Sequence, residues 1–487
     1  MLTRRTLLGG GLALAGSALL AGPMGRPSAA RAAEGLAPRP AATGPVRHAL
    51  SLIAAERPAR LLGPDGPVST VWSYDEKLMP VIRIRQGDSL RVRLENRLSE
   101  HTTIHWHGVR VPNAMDGVQY VTQPPVRPGE DFLYEFTPPD TGTFFFHPHC
   151  DETGQVGRGM AGVLIVEGDE TVPSDADIVL VNKDWRLAGD GSWLPFRTAE
   201  GAARAGTFGT RRTVNAAAAF AAEVPARGNI RLRILNLDAT RSLQIGVEGA
   251  EAYVIATDGN PLEPFRLDSW RLGAAMRVDL LVRAPEAGAA FAVKDYFSAE
   301  PWVLGTFTAK PSDKAARDFV PSPLYAPSVP RAALGEAETL PFSFSAAAGS
   351  PAAYLDSLPP DDPMSQVFLD ALCAGGDSFW AINKQVWPAG DHSKLPPPLA
   401  TLVAGRSYVF ELMNGTPHPH PIHLHGQTME VISASRQELP RFFADTVLLQ
   451  PKERIKVAFV AAPGRWMFHC HILEHLEHGM MGWVNIV

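Results

Sequence analysis

The chain has 487 residues, more than one hydrophobic core supports, which points to about three domains of ordinary size. Hydrophobic residues at 45% and charged residues at 20% exclude disordered and fibrous classes, and 43 glycines with 43 prolines favour a turn-rich, all-β organisation. The formal charge of −6 disfavours nucleic acid as a partner, and three cysteines (Cys150, Cys373 and Cys470) are too few for a disulfide framework.

The N-terminus reads as an address. Thr3-Arg4-Arg5-Thr6-Leu7-Leu8 opens a mildly apolar, Gly-containing run to about Gly22, and Ala30-Arg31-Ala32 supplies a small-x-small cleavage pattern before Ala33. Paired arginines make this a twin-arginine signal over residues 1–32, read by the Tat export machinery. The run is too short and too Gly-rich to span hydrocarbon, and no later segment has eighteen consecutive apolar residues. The expectation is therefore a periplasmic or secreted protein with no stable membrane span after processing. It would carry about −10, because residues 1–32 hold four arginines and no acid.

Strand-like alternation recurs three times. Leu90, Val92 and Leu94 alternate with Arg91, Arg93 and Glu95; Ile230, Leu232 and Ile234 alternate with Arg231 and Arg233; Tyr408, Phe410 and Leu412 repeat the pattern. Each strand ends in asparagine, at Asn96, Asn236 and Asn414. Nine residues after the first comes His105-Trp106-His107-Gly108, and nine after the last His423-Leu424-His425-Gly426; the middle copy has Ile245-Gly246-Val247 there. A second match follows a turn glycine: Gly142 lies five residues before His147-Pro148-His149, and Gly464 five before His469-Cys470-His471. Gly288 leads only to Val293-Lys294-Asp295. One β-sandwich appears three times, the outer copies bearing ligands and the middle one serving as spacer or substrate wall. Boundaries fall in turn-rich stretches, giving units at 45–168, 172–309 and 335–487, with a Pro-rich linker from about Lys310 to Leu334.

In a strand, His-x-His sets two imidazoles on one side about two residues' rise apart, which is metal-ligand spacing. Fifteen histidines placed at random give about half of one such pair, whereas the chain has five, at 105/107, 147/149, 418/420, 423/425 and 469/471. Donor softness selects the metal. His469 to His475 with Met480, plus the distant His420, offers two imidazoles, a thiolate and a thioether, the set expected of blue copper. Zinc wants one closed tetrahedral set and has no use for eight further imidazoles. His469 and His471 flank Cys470 and point to the other face of its strand, so an electron at the thiol has a short covalent path to both.

These motifs resemble the multicopper oxidase family: His105-Trp106-His107-Gly108, His147-Pro148-His149, His420-Pro421-Ile422-His423-Leu424-His425-Gly426, and His469 to Met480, introduced by Pro463-Gly464-Arg465-Trp466-Met467-Phe468. The resemblance covers nearly the whole chain after the leader and implies three cupredoxin-like Greek-key β-sandwich domains holding four copper ions. By motif position, His420, Cys470, His475 and axial Met480 would hold type 1 copper. His105 and His423 would hold type 2, and His107, His147, His149, His425, His469 and His471 the type 3 pair. The implied reaction couples one-electron oxidation of a phenol-like, laccase-type reductant to four-electron reduction of O2 to water. Asp116, in Met115-Asp116-Gly117, resembles the family's carboxylate beside the trinuclear site, with a proton-transfer role; it reads equally as a turn aspartate.

Two departures matter. Many bacterial relatives place Glu directly after the second type 1 histidine, where this chain has Leu476; Glu474 or Glu477 could substitute, or each could be solvated or lie behind the ligands. Twelve methionines form no Met-rich insertion, which disfavours a dedicated cuprous oxidase of copper tolerance. A non-enzymatic cell-envelope protein on the same scaffold would have lost ligands, and a two-site nitrite reductase needs no type 3 pair. His48, His101, His392, His418 and His478 are expected at the surface or behind the ligands, and Cys150 and Cys373 as buried thiols rather than a disulfide.

Overall fold

The structure, a computed structural model, describes residues 44–171, 174–313, 317–347, 378–388 and 394–487. The N-terminal signal, Cys373 and His392 lie outside the described residues. Six sheets form three two-layered units in chain order. In the first, one layer runs Ser69–Ser73, Arg47–Ala59, Ser89–Asn96, Asp131–Phe136, and the other Val81–Arg85, Gly162–Glu167, Gly142–His147, His105–His107. Leu90, Val92 and Leu94 point inward against Ile82, Trp106, Phe144, Phe146 and Leu164, while Arg91 and Arg93 face water, as the alternation requires.

The middle unit stacks the layer Arg211–Val214, Ala176–Trp185, Asn229–Asn236, Arg277–Arg283, Glu251–Thr257, Asn260–Arg266 on Ala221–Pro225, Trp302–Lys310, Ala290–Asp295, Leu243–Glu248, Trp270–Leu272. In the third unit the layers are Trp380–Ile382, Glu338–Ala346, Ser407–Asn414, Arg454–Val460, Met429–Ala434, Phe442–Ala444 and Ala400–Leu402, Met481–Ile486, Gly464–Cys470, His420–Leu424, Thr446–Leu449. One apolar cluster runs through the middle and third units, and another joins Val71, Phe145 and Val163 of the first to Val181, Leu235 and Ala275 of the middle. The three units form one continuous body.

The repeated asparagine has a physical cause. Asn96 Nδ2 donates to the carbonyls of Glu100 and Val126, Asn236 Nδ2 to Arg241 and Gly273, and Asn414 Nδ2 to His418 and Gln450. In each copy one buried amide buckles the strand end to the next turn and to a distant segment, which a shorter side chain could not bridge. Where the outer copies pair His105 with His147 and His423 with His469, the middle copy pairs Ile245 with Asp295, a two-residue slip that preserves which face each side chain occupies.

The matching strand of the middle unit differs from that of the first. Arg231 and Arg233 do not face water: the strand is buried on both faces because the first unit packs over it. Arg231 pairs with Asp279, and Arg233 with Asp177 and the Thr143 hydroxyl of the first unit.

Candidate metal centre

Antiparallel pairing of His105–His107 with Gly142–His147 sets His105 opposite His147, and pairing of His420–Leu424 with Gly464–Cys470 sets His423 opposite His469. The first and third units press these strand ends together. His105 stacks on His425 with ring centroids 3.9 Å apart, and His107 on His423 at 3.8 Å. All eight imidazoles from the two outer units are buried at this junction.

They form one cluster in which threes overlap, His105 belonging both with His423 and His425 and with His107 and His147. His149, His425 and His469 bring one nitrogen each within 4.8 Å of one another. His107, His147 and His471 have centroids 5.7, 4.9 and 5.1 Å apart, and His105 and His423 lie 5.6 Å apart between them.

A separate cluster forms around the thiol. Cys470 Sγ lies 3.5 Å from His420 Nδ1 and 3.6 Å from His475 Nδ1, and the two nitrogens are 3.1 Å apart. Their outer nitrogens are tied: His420 Nε2 sits 2.7 Å from Thr416 Oγ1, and His475 Nε2 2.7 Å from the Arg204 carbonyl of the middle unit. Met480 is fully buried; its carbonyl accepts from the Cys470 amide and its own amide donates to the His475 carbonyl. Trp380 covers both imidazoles, 4.6 Å from His475 and 5.5 Å from His420.

Asp116 sits both in a turn and beside the imidazoles. It closes the turn Asn113–Met115; its Oδ2 lies 2.9 Å from His425 Nδ1, and its main-chain carbonyl, at 2.8 Å, is the hydrogen-bond partner of His105 Nδ1, with Oδ1 3.2 Å from the same nitrogen. The Glu474 carboxylate instead accepts from Thr207 N, Thr207 Oγ1 and Thr198 N, clamping the short helix Ala199–Ala203 of the middle unit to the helix Leu473–Glu477. Glu477 accepts from Thr153 N and pairs with Arg197. Burial pushes both acids up to about 7, Glu477 also through the nearby Glu152. His48 pairs with Asp88, His101 is exposed, His418 is half-buried beside Trp380, and His478 is buried against Phe379. Cys150 is a buried free thiol.

Sequence reasoning missed three residues. Asp445 places Oδ1 3.0 Å from His107 Nε2 and its carbonyl 2.9 Å from His423 Nδ1. Arg277, from the middle unit, grips that carboxylate with both Nη atoms. Glu152 Oε1 lies 2.7 Å from His149 Nδ1, and its one available signal was its position three residues after a ligand-spaced histidine. The middle unit is thus more than a spacer.

Whether these donors suit copper can be judged from their protonation. Burial, then neighbouring imidazoles, hold His107, His423, His425 and His475 well below the usual histidine range, and His420 is lowered to about 3, so the rings are neutral and offer lone pairs. His105 Nε2, His107 Nδ1, His147 Nε2, His423 Nε2 and both nitrogens of His471 are buried without a hydrogen-bond partner, a costly state that a cation relieves. Burial pushes the Cys470 thiol far above its usual range, and a bound soft cation would hold it as thiolate. Two neutral imidazoles and a thiolate suit copper, and the all-imidazole set suits further copper ions.

Fold and site together define a copper-binding oxidoreductase assembled from three cupredoxin-like β-sandwich domains. The chain belongs to the multicopper oxidase family: three family models, each described as multicopper oxidase, match residues 60–171, 167–312 and 370–487. Multicopper oxidase MmcO of Mycobacterium tuberculosis is 30% identical, the match covering 98% of this chain and 95% of that protein. A laccase of Cryphonectria parasitica is 28% identical over 90% of this chain and 82% of its own length. Among solved structures, a multi-copper oxidase from Pseudomonas thermotolerans superposes with a TM-score of 0.80 at 38% identity, covering 91% of this chain and all of that one. The protein is therefore an oxidoreductase that uses copper, O2 and a reducing substrate.

Proposed function

We propose that His420, Cys470, His475 and Met480 hold the type 1 copper and that His105 and His423 hold the type 2 copper. His107, His147 and His471 take one type 3 ion, and His149, His425 and His469 the other. The observation that carries this reading is the position of Cys470: its thiol lies with His420 and His475, while on either side His469 groups with His149 and His425 and the His471 ring lies beside His107 and His147.

Copper bound at these residues supplies one-electron oxidation of the reductant and four-electron reduction of O2. The protein supplies the rest. The backbone from Cys470 to each flanking histidine is a path of a few covalent bonds, and His469 Nδ1, 3.0 Å from the Cys470 carbonyl, offers a hydrogen-bonded short cut. Asp116, which orients His105 and His425 from behind, is the carboxylate placed to pass protons at its Oδ atoms. Trp380 and the Arg204 main chain exclude water from the thiol cluster.

For the reductant, an axial Met favours a modest potential and hence easily oxidised phenols, and the chain has no Met-rich insertion for cuprous ions. Because the Arg204 carbonyl caps the His475 edge, the reductant docks above that segment. Kinetics with phenols against Cu(I) separate laccase-type from metal-ion oxidation. The twin-arginine pattern supports Tat export to the periplasm with cleavage after Ala32, and the copies support domains at 45–168, 172–309 and 335–487. The deciding experiment is metal analysis with a visible spectrum. Four copper ions per chain and an intense blue band are expected; one copper, or zinc, overturns the reading.

A further inference from the structure

We propose that Arg277 of the middle sandwich is a positioning residue for the metal centre, acting through Asp445 to fix which ring nitrogens His107 and His423 present. The inference rests on the ligand assignment above. The middle copy carries none of the histidine motifs, yet Arg277 is fully buried where all three units meet. Its Nε donates to the Thr143 carbonyl of the first unit at 3.2 Å, Nη1 to the Ala275 carbonyl of its own at 3.2 Å, and Nη1 and Nη2 to Asp445 of the third at 2.9 and 2.6 Å. Asp258, also of the middle unit, accepts from the Arg277 amide at 2.8 Å and the Thr446 amide at 3.1 Å, holding the strand that follows Asp445.

The consequence for the imidazoles follows from donor and acceptor inventory. A carboxylate gripped by a guanidinium offers only acceptors, so Asp445 Oδ1, 3.0 Å from His107 Nε2, requires the proton on Nε2. The lone pair is then on Nδ1, the buried nitrogen of His107 that has no partner. At His423 the acceptor is the Asp445 carbonyl, 2.9 Å from Nδ1, so the lone pair is on the unpartnered Nε2. One residue thus sets opposite tautomers on two stacked rings, as second partners of metal-binding histidines do. Thr446 Oγ1, 3.1 Å from His107 Nε2 and donating to Asp445 Oδ1 at 2.8 Å, closes the network.

An independent observation shows that the pair is built into the motif. Gly108, which ends His105-Trp106-His107-Gly108, has φ +80°, and a Cβ there would lie 2.2 Å from Asp445 Oδ2 and 2.7 Å from Arg277 Nη2. The glycine after the first histidine pair is required because the Asp445–Arg277 pair occupies its side-chain space.

The test uses the full-length, copper-loaded protein with Arg277→Lys and Arg277→Met, reading the blue band, copper per chain, the electron paramagnetic resonance of the imidazole-held ions, and copper retention against a chelator. Both variants are expected to keep the blue band, since Arg277 does not touch the Cys470 cluster. Both should hold the remaining copper about 10- to 100-fold more weakly, with an altered resonance signal. Lysine keeps the charge but lacks the planar fork, so it folds even if the Met variant, which leaves Asp445 buried and unpaired, does not. Wild-type copper retention and resonance in Arg277→Lys overturn the proposal. A wild type without four copper ions defeats instead the ligand assignment on which it rests.

Discussion

Asp116 Oδ2 stands 2.9 Å from His425 Nδ1, 309 residues further along the chain. The main-chain carbonyl of the same residue lies 2.8 Å from His105 Nδ1, so Asp116 orients one imidazole from each outer unit, and in the proposed function its carboxylate passes the protons for O2 reduction. Asp116→Asn keeps the shape and one acceptor but removes the acid. It should retain copper and colour and lower kcat by about 10²-fold or more, while single-turnover reduction of the blue site by reductant stays unchanged. Full turnover in this variant would remove Asp116 from the proton path.

Cys470→Ser should abolish the blue colour and the oxidation of reductant together and lower the copper content by one ion. A hydroxyl is a poor soft-metal donor, and the covalent route from the thiol to His469 and His471 is lost with it. Absorption, metal analysis and oxygen uptake check this on one preparation. Survival of either colour or oxidation would mean that electrons enter elsewhere.

Glu474→Ala removes the acceptor of Thr207 N, Thr207 Oγ1 and Thr198 N and leaves buried donors unmet. A cost of about 1–3 kcal/mol follows, read by chemical denaturation. The Arg204 carbonyl over His475 is carried by the same segment, so reductant kinetics should change while copper content does not.

The metal-free protein should be destabilised by mild acid. His107, His147, His420, His423, His425, His469, His471 and His475 are all held below the ordinary histidine pKa by burial, so below about pH 6.5 the unfolded chain binds protons that the folded one refuses. Stability from these groups is lost as pH falls. Glu474, Glu477, Asp184 and Asp258, pushed up to about 7 by burial, act in the opposite direction and lose their contribution as pH rises towards 7. Eight groups outweigh four, and the unfolding midpoint should be lower at pH 5 than at pH 7 by calorimetry. An equal or higher midpoint refutes this.

The strands and histidine pairs were legible because both signals are local: alternation writes a strand, and His-x-His writes a shared face. The triplication was legible because Asn96, Asn236 and Asn414 mark one corner in each copy. Asp445 and Arg277 were not, since each sits in an ordinary strand context, Ala444-Asp445-Thr446 and Arg277-Val278-Asp279, and gains meaning only from a contact 168 residues away. The burial of Arg231 and Arg233 was illegible for the same reason: alternation reports one sheet face and is blind to a neighbouring domain that covers the other. Glu474 and Glu477 carried the right residue type for proton transfer, but their bonds to Thr207 and Thr153 come from segments distant in the chain and were not legible.

The stacking of His107 on His423 also bears on biogenesis. The imidazole cluster cannot be complete until both outer units have been made, because it needs His423, His425, His469 and His471 as well as the two pairs of the first unit. Metal insertion would consequently follow the joining of the two outer units, and a truncation that removes the strand Gly464–Cys470 would deliver a protein without His469 and Cys470 and unable to retain its cargo of ions.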